Sequence, residues 1–403
     1  MAIPKFKVNN DGLIAIPFII FLFILSRMFP LMSYSWLMNI ALIFFFILKT
    51  PSIFNGVKNN KTVIFFIIIL SVHGLYSLFL NNDPSLVIKF YFVLIFILFS
   101  YFCAFNSLFI VNAFIFIMSI QAIVVISIAI FLMVVFRDGN YLVVRAYFLD
   151  SGYGDVYTYG SGFYRVQLKG NALLPFSFMI SELLRSLYKD KYKISSSLLF
   201  VSCIFAGNFA FYISIFIFIV FSVFGKNRNI YNNVDKRKMR FILKIALGLI
   251  LLSSFPLIIR YAISVIEMKS FGAGSSLGVR YDQFYVLISD MLKTWHSTVF
   301  GSGLGNLINV QTAERNYSDN VYYELQTVYF LNQLGIVLFI SFVLLNVILS
   351  IRYVKSRIFI FIYCLYCAYA VTNPYILDSN QIVVIVILCT LNKIGVFEHR
   401  VCN

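Results

Sequence analysis

The stretch KDKYKISSSLLFVSCIFAGNFAFYISIFIFIVFSVFGKNRNIYNNVDKRKMR, residues 189–240, decides how this chain is organised. Its centre, 195–224, is thirty residues without a charge. Lys189, Lys191 and Lys193 precede it. Lys226, Arg228, Lys236, Arg237, Lys238 and Arg240 follow it. A helix of about 20 apolar residues crosses the bilayer core, and basic flanks stay cytoplasmic. Both flanks are basic, so the chain is expected to enter and return, turning near Gly207-Asn208. Two short helices result, 195–206 and 208–224. Neither is long enough to cross, so both are expected to be buried in protein, where a turn at membrane depth is tolerated.

The same rule, applied outward, gives apolar spans near 13–30, 32–48, 62–80, 86–104, 108–136, 170–188, 241–259, 327–351, 358–373 and 380–396. With the short pair there are twelve. Of the 403 residues, 61% are hydrophobic and 12% charged, and the mean hydropathy is +0.90. A soluble domain has roughly 45–50% apolar and about 25% charged residues. Soluble enzyme folds, DNA-binding domains and disordered scaffolds are therefore excluded. The net charge of +16 reflects short basic loops rather than nucleic-acid binding. Those loops are 49–61, 189–193, 225–240, 352–357 and the C-terminus, and placing them inside makes both termini cytoplasmic. The N-terminal MAIPKFKVNND leads into a first span with no small-residue cleavage site. The six cysteines form no disulfide framework. Cys364 and Cys367 are spaced CxxC but lie within an apolar run without a nearby histidine. The fold expected is an all-α polytopic membrane protein, one domain over 1–403, with two large outer loops at 137–169 and 260–326.

Long loops usually carry function. In the first, Arg145, Arg165 and Lys169 stand among many Tyr and Gly residues. Tyr can stack on sugars, and Gly lets backbone approach a ligand. Arg165 and Lys169 precede a helix expected to begin near Gly170-Asn171, where cations and a helix N-terminus together would favour an anion. Anchoring that helix at the interface is the alternative. In the second loop, 271–278 and 300–306 are Gly-rich, and such backbone either forms anion-binding nests or simply turns. Neither has the ending of a nucleotide P-loop. Arg280 and Gln283 share one face of a helix expected over 277–292. Arg280 suits a phosphate, or else a salt bridge with Asp282 or Asp290. His296 is the sole histidine of the outer loops. Glu324, with Tyr322, Tyr323 and Gln326, is either a carboxylate at a helix start or a base at the membrane surface. Asp378, in the turn TNPYILDSNQ at 372–381, reads as a turn residue.

In chain order, RVQLKGNALLP (165–175), VRYDQF (279–284), VFGSGLGN (299–306), YELQTVYFLNQLGIV (323–337) and the late Asn-Pro turn resemble the bacterial O-antigen polymerases (Wzy) and, more distantly, the O-antigen ligases. Ligases commonly carry a His eleven residues before a Gly; here Glu324 stands eleven before Gly335, which favours the polymerase. An Arg-x10-Gly pattern of some polymerases is absent from both loops. The resemblance implies a GT-C-like fold and an inverting glycosyltransferase of lipopolysaccharide biosynthesis at the periplasmic face of the inner membrane. The donor would be a growing glycan on undecaprenyl pyrophosphate and the acceptor a new repeat unit on the same carrier. No cofactor or metal is implied; a polysaccharide chain-length regulator is the expected partner, and nucleic acid is not. On this reading Arg280, Arg165 and Arg145 hold the pyrophosphate, and Arg280 and Glu324 are catalytic. Gln283, Tyr322, Gln326 and Asn171 contact substrate. The competing readings are a ligase to lipid A core and a lipid-linked oligosaccharide flippase or other transporter. Transporters place charges at mid-depth, and such charges are scarce here.

Overall fold

A computed structural model of the protein describes residues 10–26, 35–136, 141–158, 163–224, 276–312, 316–318, 323–371 and 373–395. The expected span at 241–259, the basic loop 225–240, the Gly-rich residues 271–275 and Tyr322 lie outside them. The chain is mostly helical: α1 (Asn10–Ser26), α2 (Ser35–Leu48), α3 (Thr50–Lys58), α4 (Lys61–Phe79), α5 (Pro84–Ser100) and α6 (Leu108–Val135). After these come α7 (Leu142–Asp150), strands β1 (Gly154–Thr158) and β2 (Tyr164–Leu168), a 3-10 turn (Lys169–Leu173), and α8 (Leu174–Tyr188). The remainder are α9 (Lys193–Ala206), α10 (Phe209–Phe224), α11 (Ser276–Met291), α12 (Trp295–Phe300), α13 (Gln326–Tyr353), α14 (Arg357–Val371) and α15 (Ser379–Lys393).

Helix ends follow local chemistry. Asp83 caps α5 by accepting from the Ser85 N–H, with Pro84 in the first turn, and Ser107 caps α6 the same way. Gly207 closes α9 in a left-handed conformation, φ 63°. The 28 residues of α6 and of α13 are each about 42 Å long. Among the described residues, α4, α6 and α13 are long and apolar enough to cross a membrane. The pair α2–α3, bent by 61°, makes a fourth if taken as one span. Six further apolar helices run 10–17 residues. Among the described residues, the apolar segments read from the sequence appear as helices, several too short to span alone. α8 departs from expectation: Leu174 begins it after the 3-10 turn, and Glu182 and Arg185 pair at 3.0 Å on it.

The helices share two ends. At one, the Lys49 ammonium is 3.8 Å from Asp11, and Lys49 and Lys393 both donate to the Ala104 carbonyl. Asn60 donates to the Tyr353 hydroxyl there, and Tyr192 to Asn112. The start of α1, the end of α15 and three of the basic loops thus gather at one face. At the other end lie the two polar segments. The first is not a plain loop: α7 packs against an antiparallel hairpin of β1 and β2, with Tyr157 opposite Arg165. Tyr164 ties that hairpin to the Phe136 carbonyl at the end of α6. Asn82, after α4, binds the carbonyls of Ser302 and Leu304.

The stretch that decided the topology folds as expected, two helices joined at Gly207-Asn208. It is not enclosed, however. Ile194, Phe200 and Ile204 of α9 and Phe209, Ile213 and Phe216 of α10 are exposed apolar side chains. Among the described residues, each helix buries one face and leaves an apolar face exposed.

Candidate functional site

Arg280 and Gln283, one helical turn apart on α11, reach the same place. The Arg280 Nε donates to Glu324 Oε2 at 2.8 Å, and both side chains are about one-third exposed. The Gln283 Oε1 accepts from the N–H of Glu324 and of Leu325. Gln283 is fully buried, and its amide nitrogen has no hydrogen-bond partner among the described residues. The two aspartates that could have taken Arg280 are engaged elsewhere. Asp282 accepts from Thr312 and Tyr317, and Asp290 from Lys293, Asn306 and Asn332. Tyr317, Tyr323 and Tyr329 form a column of rings, with centroids 5.7 and 4.4 Å apart, beside Glu324.

Glu324 is placed by Gln283 and Arg280, and α13, which follows it, is broken eleven residues further on. Gly335 has φ 69° and ψ 172°, which interrupts the helix. The Asn332 and Gln333 carbonyls accept from the N–H of Ser302 and Gly303, and the Gln333 carbonyl also lies 3.1 Å from the His73 ring nitrogen. A Cβ on Gly335 would sit 2.3 Å from the Gly301 nitrogen. The Gly-rich 300–306 segment is thus a clamp on the broken helix and not an anion nest. Its Leu304 and Gly305 N–H groups are also used, by Ser77 and Gln333.

The first polar segment brings two more arginines. Arg145 makes a bidentate pair with Asp155, at 2.9 and 3.0 Å. Its guanidinium is 5.9 Å from the Tyr157 ring centroid, and that of Arg165 is 4.9 Å from the same ring. Arg165 is 6% exposed, donates through Nε to the Ala206 carbonyl, and packs its stem on Gly207. It lies on β2, not at a helix start, and the expected anion site at 169–171 does not form. Asn171 is buried, donating to the Val166 carbonyl and accepting from Gln121. Its amide holds the 3-10 turn rather than a ligand.

Tyr375, in the turn after α14, joins the halves. Burial pushes its phenol up, while Arg165, a hydrogen bond with Gln167, and Arg280 pull it down. Both guanidinium groups therefore lie within electrostatic reach of Tyr375. Asp378 also acts on it, in the opposite sense. The Asp378 carboxyl caps α15 through the Asn380 and Gln381 N–H groups, and burial pushes it up to about 7 against those bonds. Asn208 donates to Asn373, fixing this turn to the Gly207-Asn208 turn.

The structure thus makes two groups, Arg280 with Gln283 and Glu324, and Arg145 with Arg165 about Tyr157, with Tyr375 within electrostatic reach of Arg165 and Arg280; Asn171 lies in neither. Gln326 opens α13, half-buried. His296, exposed and lying against the Trp295 ring at a tilt of 36°, is part of neither group. Sequence reasoning missed Tyr157, Gln167 and Tyr375. The signal was the tyrosine in each outer turn, hidden among the chain's 26 tyrosines. Comparison of the chain with protein-family models, with curated proteins and with solved structures gave no match.

Proposed function

We propose that this protein is an O-antigen polymerase of the inner membrane, transferring a growing glycan from undecaprenyl pyrophosphate to a lipid-linked repeat unit at the periplasmic face. The observation that carries this is the Arg280–Glu324 pair at one end of an apolar bundle, where Arg145 and Arg165 flank Tyr157 and Tyr375 lies within electrostatic reach of both Arg165 and Arg280. The family resemblance supplies the substrates, and it implies twelve spans, a GT-C-like arrangement, cytoplasmic termini and a chain-length regulator as partner.

The reaction breaks the bond between the donor's anomeric carbon and its pyrophosphate oxygen. A bond forms from the opposite face to an acceptor hydroxyl, and the anomeric centre inverts. Negative charge grows on the leaving diphosphate, where preorganised guanidinium groups stabilise it. The hydroxyl proton passes to the Glu324 carboxylate. Glu324 pairs with Arg280 in the free protein, so an arriving diphosphate that takes Arg280 also releases the base. Tyr157, between two arginines, offers a face for the first sugar.

In-vitro polymerisation of lipid-linked repeat units tests this. Arg280→Ala and Glu324→Gln, at normal expression, are each expected to lose about 100- to 1000-fold in rate. Full activity in both would remove the site assignment. Transfer to lipid A core in place of a repeat unit would identify a ligase, and lipid movement without polymerisation a transporter.

A further inference from the structure

Two grooves on this protein meet end to end. The first, of about 760 Å³, runs between α4 and the part of α13 beyond Gly335, with Phe65, Ile69 and Val72 facing Val337, Leu344 and Ile348. From Thr62 to Tyr76 it follows α4 for about 21 Å, some two-thirds of a hydrocarbon core of about 30 Å. Its lining turns polar at His73, Tyr76 and His296. There it meets a second groove of about 500 Å³ that shares Tyr76 and His296 and is lined by Asn82, Thr294, Ser297 and Asn306. No Lys, Arg, Asp or Glu lines either one. A third groove, between α1 and α6, has Asn112 as its single polar lining residue and no such polar end.

We infer that the joined slot holds the lipid anchor of the acceptor, with its isoprenoid chain between α4 and α13 and its lipid-proximal sugar in the polar groove. The inference rests on the polymerase reading. The acceptor's own anomeric carbon is blocked by its diphosphate, so it reacts through a hydroxyl elsewhere on the repeat unit. Its anchor must therefore lie at a saccharide's distance from Arg280 and Glu324, whereas the donor's diphosphate leaves beside them. The polar groove meets that requirement. Asn306 contacts Asn332, which is six residues, about 9 Å, along α13 from Gln326. The Tyr329 hydroxyl, on the same helix between Gln326 and Asn332, donates to the Asn306 carbonyl. Hydroxyls and amides without fixed charge suit sugar hydroxyls, and an apolar channel of this length suits one long chain. The acceptor's diphosphate does not leave, so it needs no cation, and it faces water where the two open grooves join.

Purified protein in phosphatidylethanolamine–phosphatidylglycerol vesicles, irradiated with undecaprenyl diphosphate bearing a chain diazirine, tests this. Two saturable sets of crosslinks are expected. One falls on residues 62–76 and 337–348 and is competed by unlabelled undecaprenyl diphosphate but not by added phosphatidylglycerol. Leu344→Trp, at an exposed position, fills the slot and weakens that set about tenfold. Arg280→Ala removes the other set and leaves this one. Saturable labelling at the arginine site, with the slot labelled no more than the α1–α6 groove, overturns the inference and leaves the polymerase reading standing. Saturable labelling at neither place overturns both.

Discussion

Arg280 and Glu324 satisfy one another in the free protein, which makes the carboxylate an internal competitor for any anion. A partly exposed pair of this kind is worth about 0.2–1 kcal/mol. Glu324→Gln should therefore bind inorganic pyrophosphate up to about fivefold more tightly by calorimetry, and Arg280→Ala more weakly. Weaker binding by Glu324→Gln would show that the carboxylate supports the site instead of competing for it. Asp378 carries a second residue-scale consequence. Its pKa in the folded protein is pushed up to about 7 from the ordinary aspartate value of 3.8 because burial disfavours the anion. Stability from this group is full below about pH 4 and is lost as pH rises through about 7. Asparagine caps a helix as well as aspartate does. The thermal midpoint of Asp378→Asn should accordingly be flatter than the wild type's between those pH values; parallel curves would refute the shift.

At the scale of elements, Gly335 is the position on which the geometry turns. Its conformation is open to glycine and costs other residues about 1–3 kcal/mol. Because a Cβ there also meets the Gly301 backbone, Gly335→Ala should destabilise the protein by at least that much, read as a lower thermal midpoint, and reduce polymerisation as Glu324 moves away from Arg280. Ile336→Ala, next to it on an exposed face, should do neither. An equal loss in both variants would mean that the break is incidental. The elements were legible to very different degrees. The apolar runs announced helices because so few charges interrupt them, and Arg280 and Gln283 announced a shared face because three residues make nearly one turn. The break was not legible. In YFLNQLGIV the glycine reads as one more small residue in a long helix, and its partners come from a loop some thirty residues earlier. The β1–β2 hairpin was hidden for a similar reason, since its turn and tyrosines also fit a loop.

For the whole molecule, the sidedness of charge was the most readable property. Asp11, Lys49 and Lys393 meet at one end; at the other, Arg145 and Arg165 flank Tyr157 and Arg280 pairs with Glu324. The approach of Arg165 and Arg280 to Tyr375 was not readable, because Arg165 lies more than two hundred residues before that tyrosine. In a cysteine-free background, Asp150→Cys and Lys293→Cys should react with an impermeant maleimide in intact cells. Ser107→Cys and Lys355→Cys should react after permeabilisation alone. Labelling of residues from the two ends under the same condition would rule out the arrangement.

The clamp of residues 300–306 on α13 makes the bent helix dependent on a hand placed there from outside. Were that grip lost, the bared carbonyls of Asn332 and Gln333 would seek their own helix again, and the rod would straighten. Its outer tip would swing, carrying the carboxylate out of register with its guanidinium. A lesion at Gly303, which touches no charged group, could thus silence the protein as surely as one at the carboxylate, while leaving it inserted and abundant.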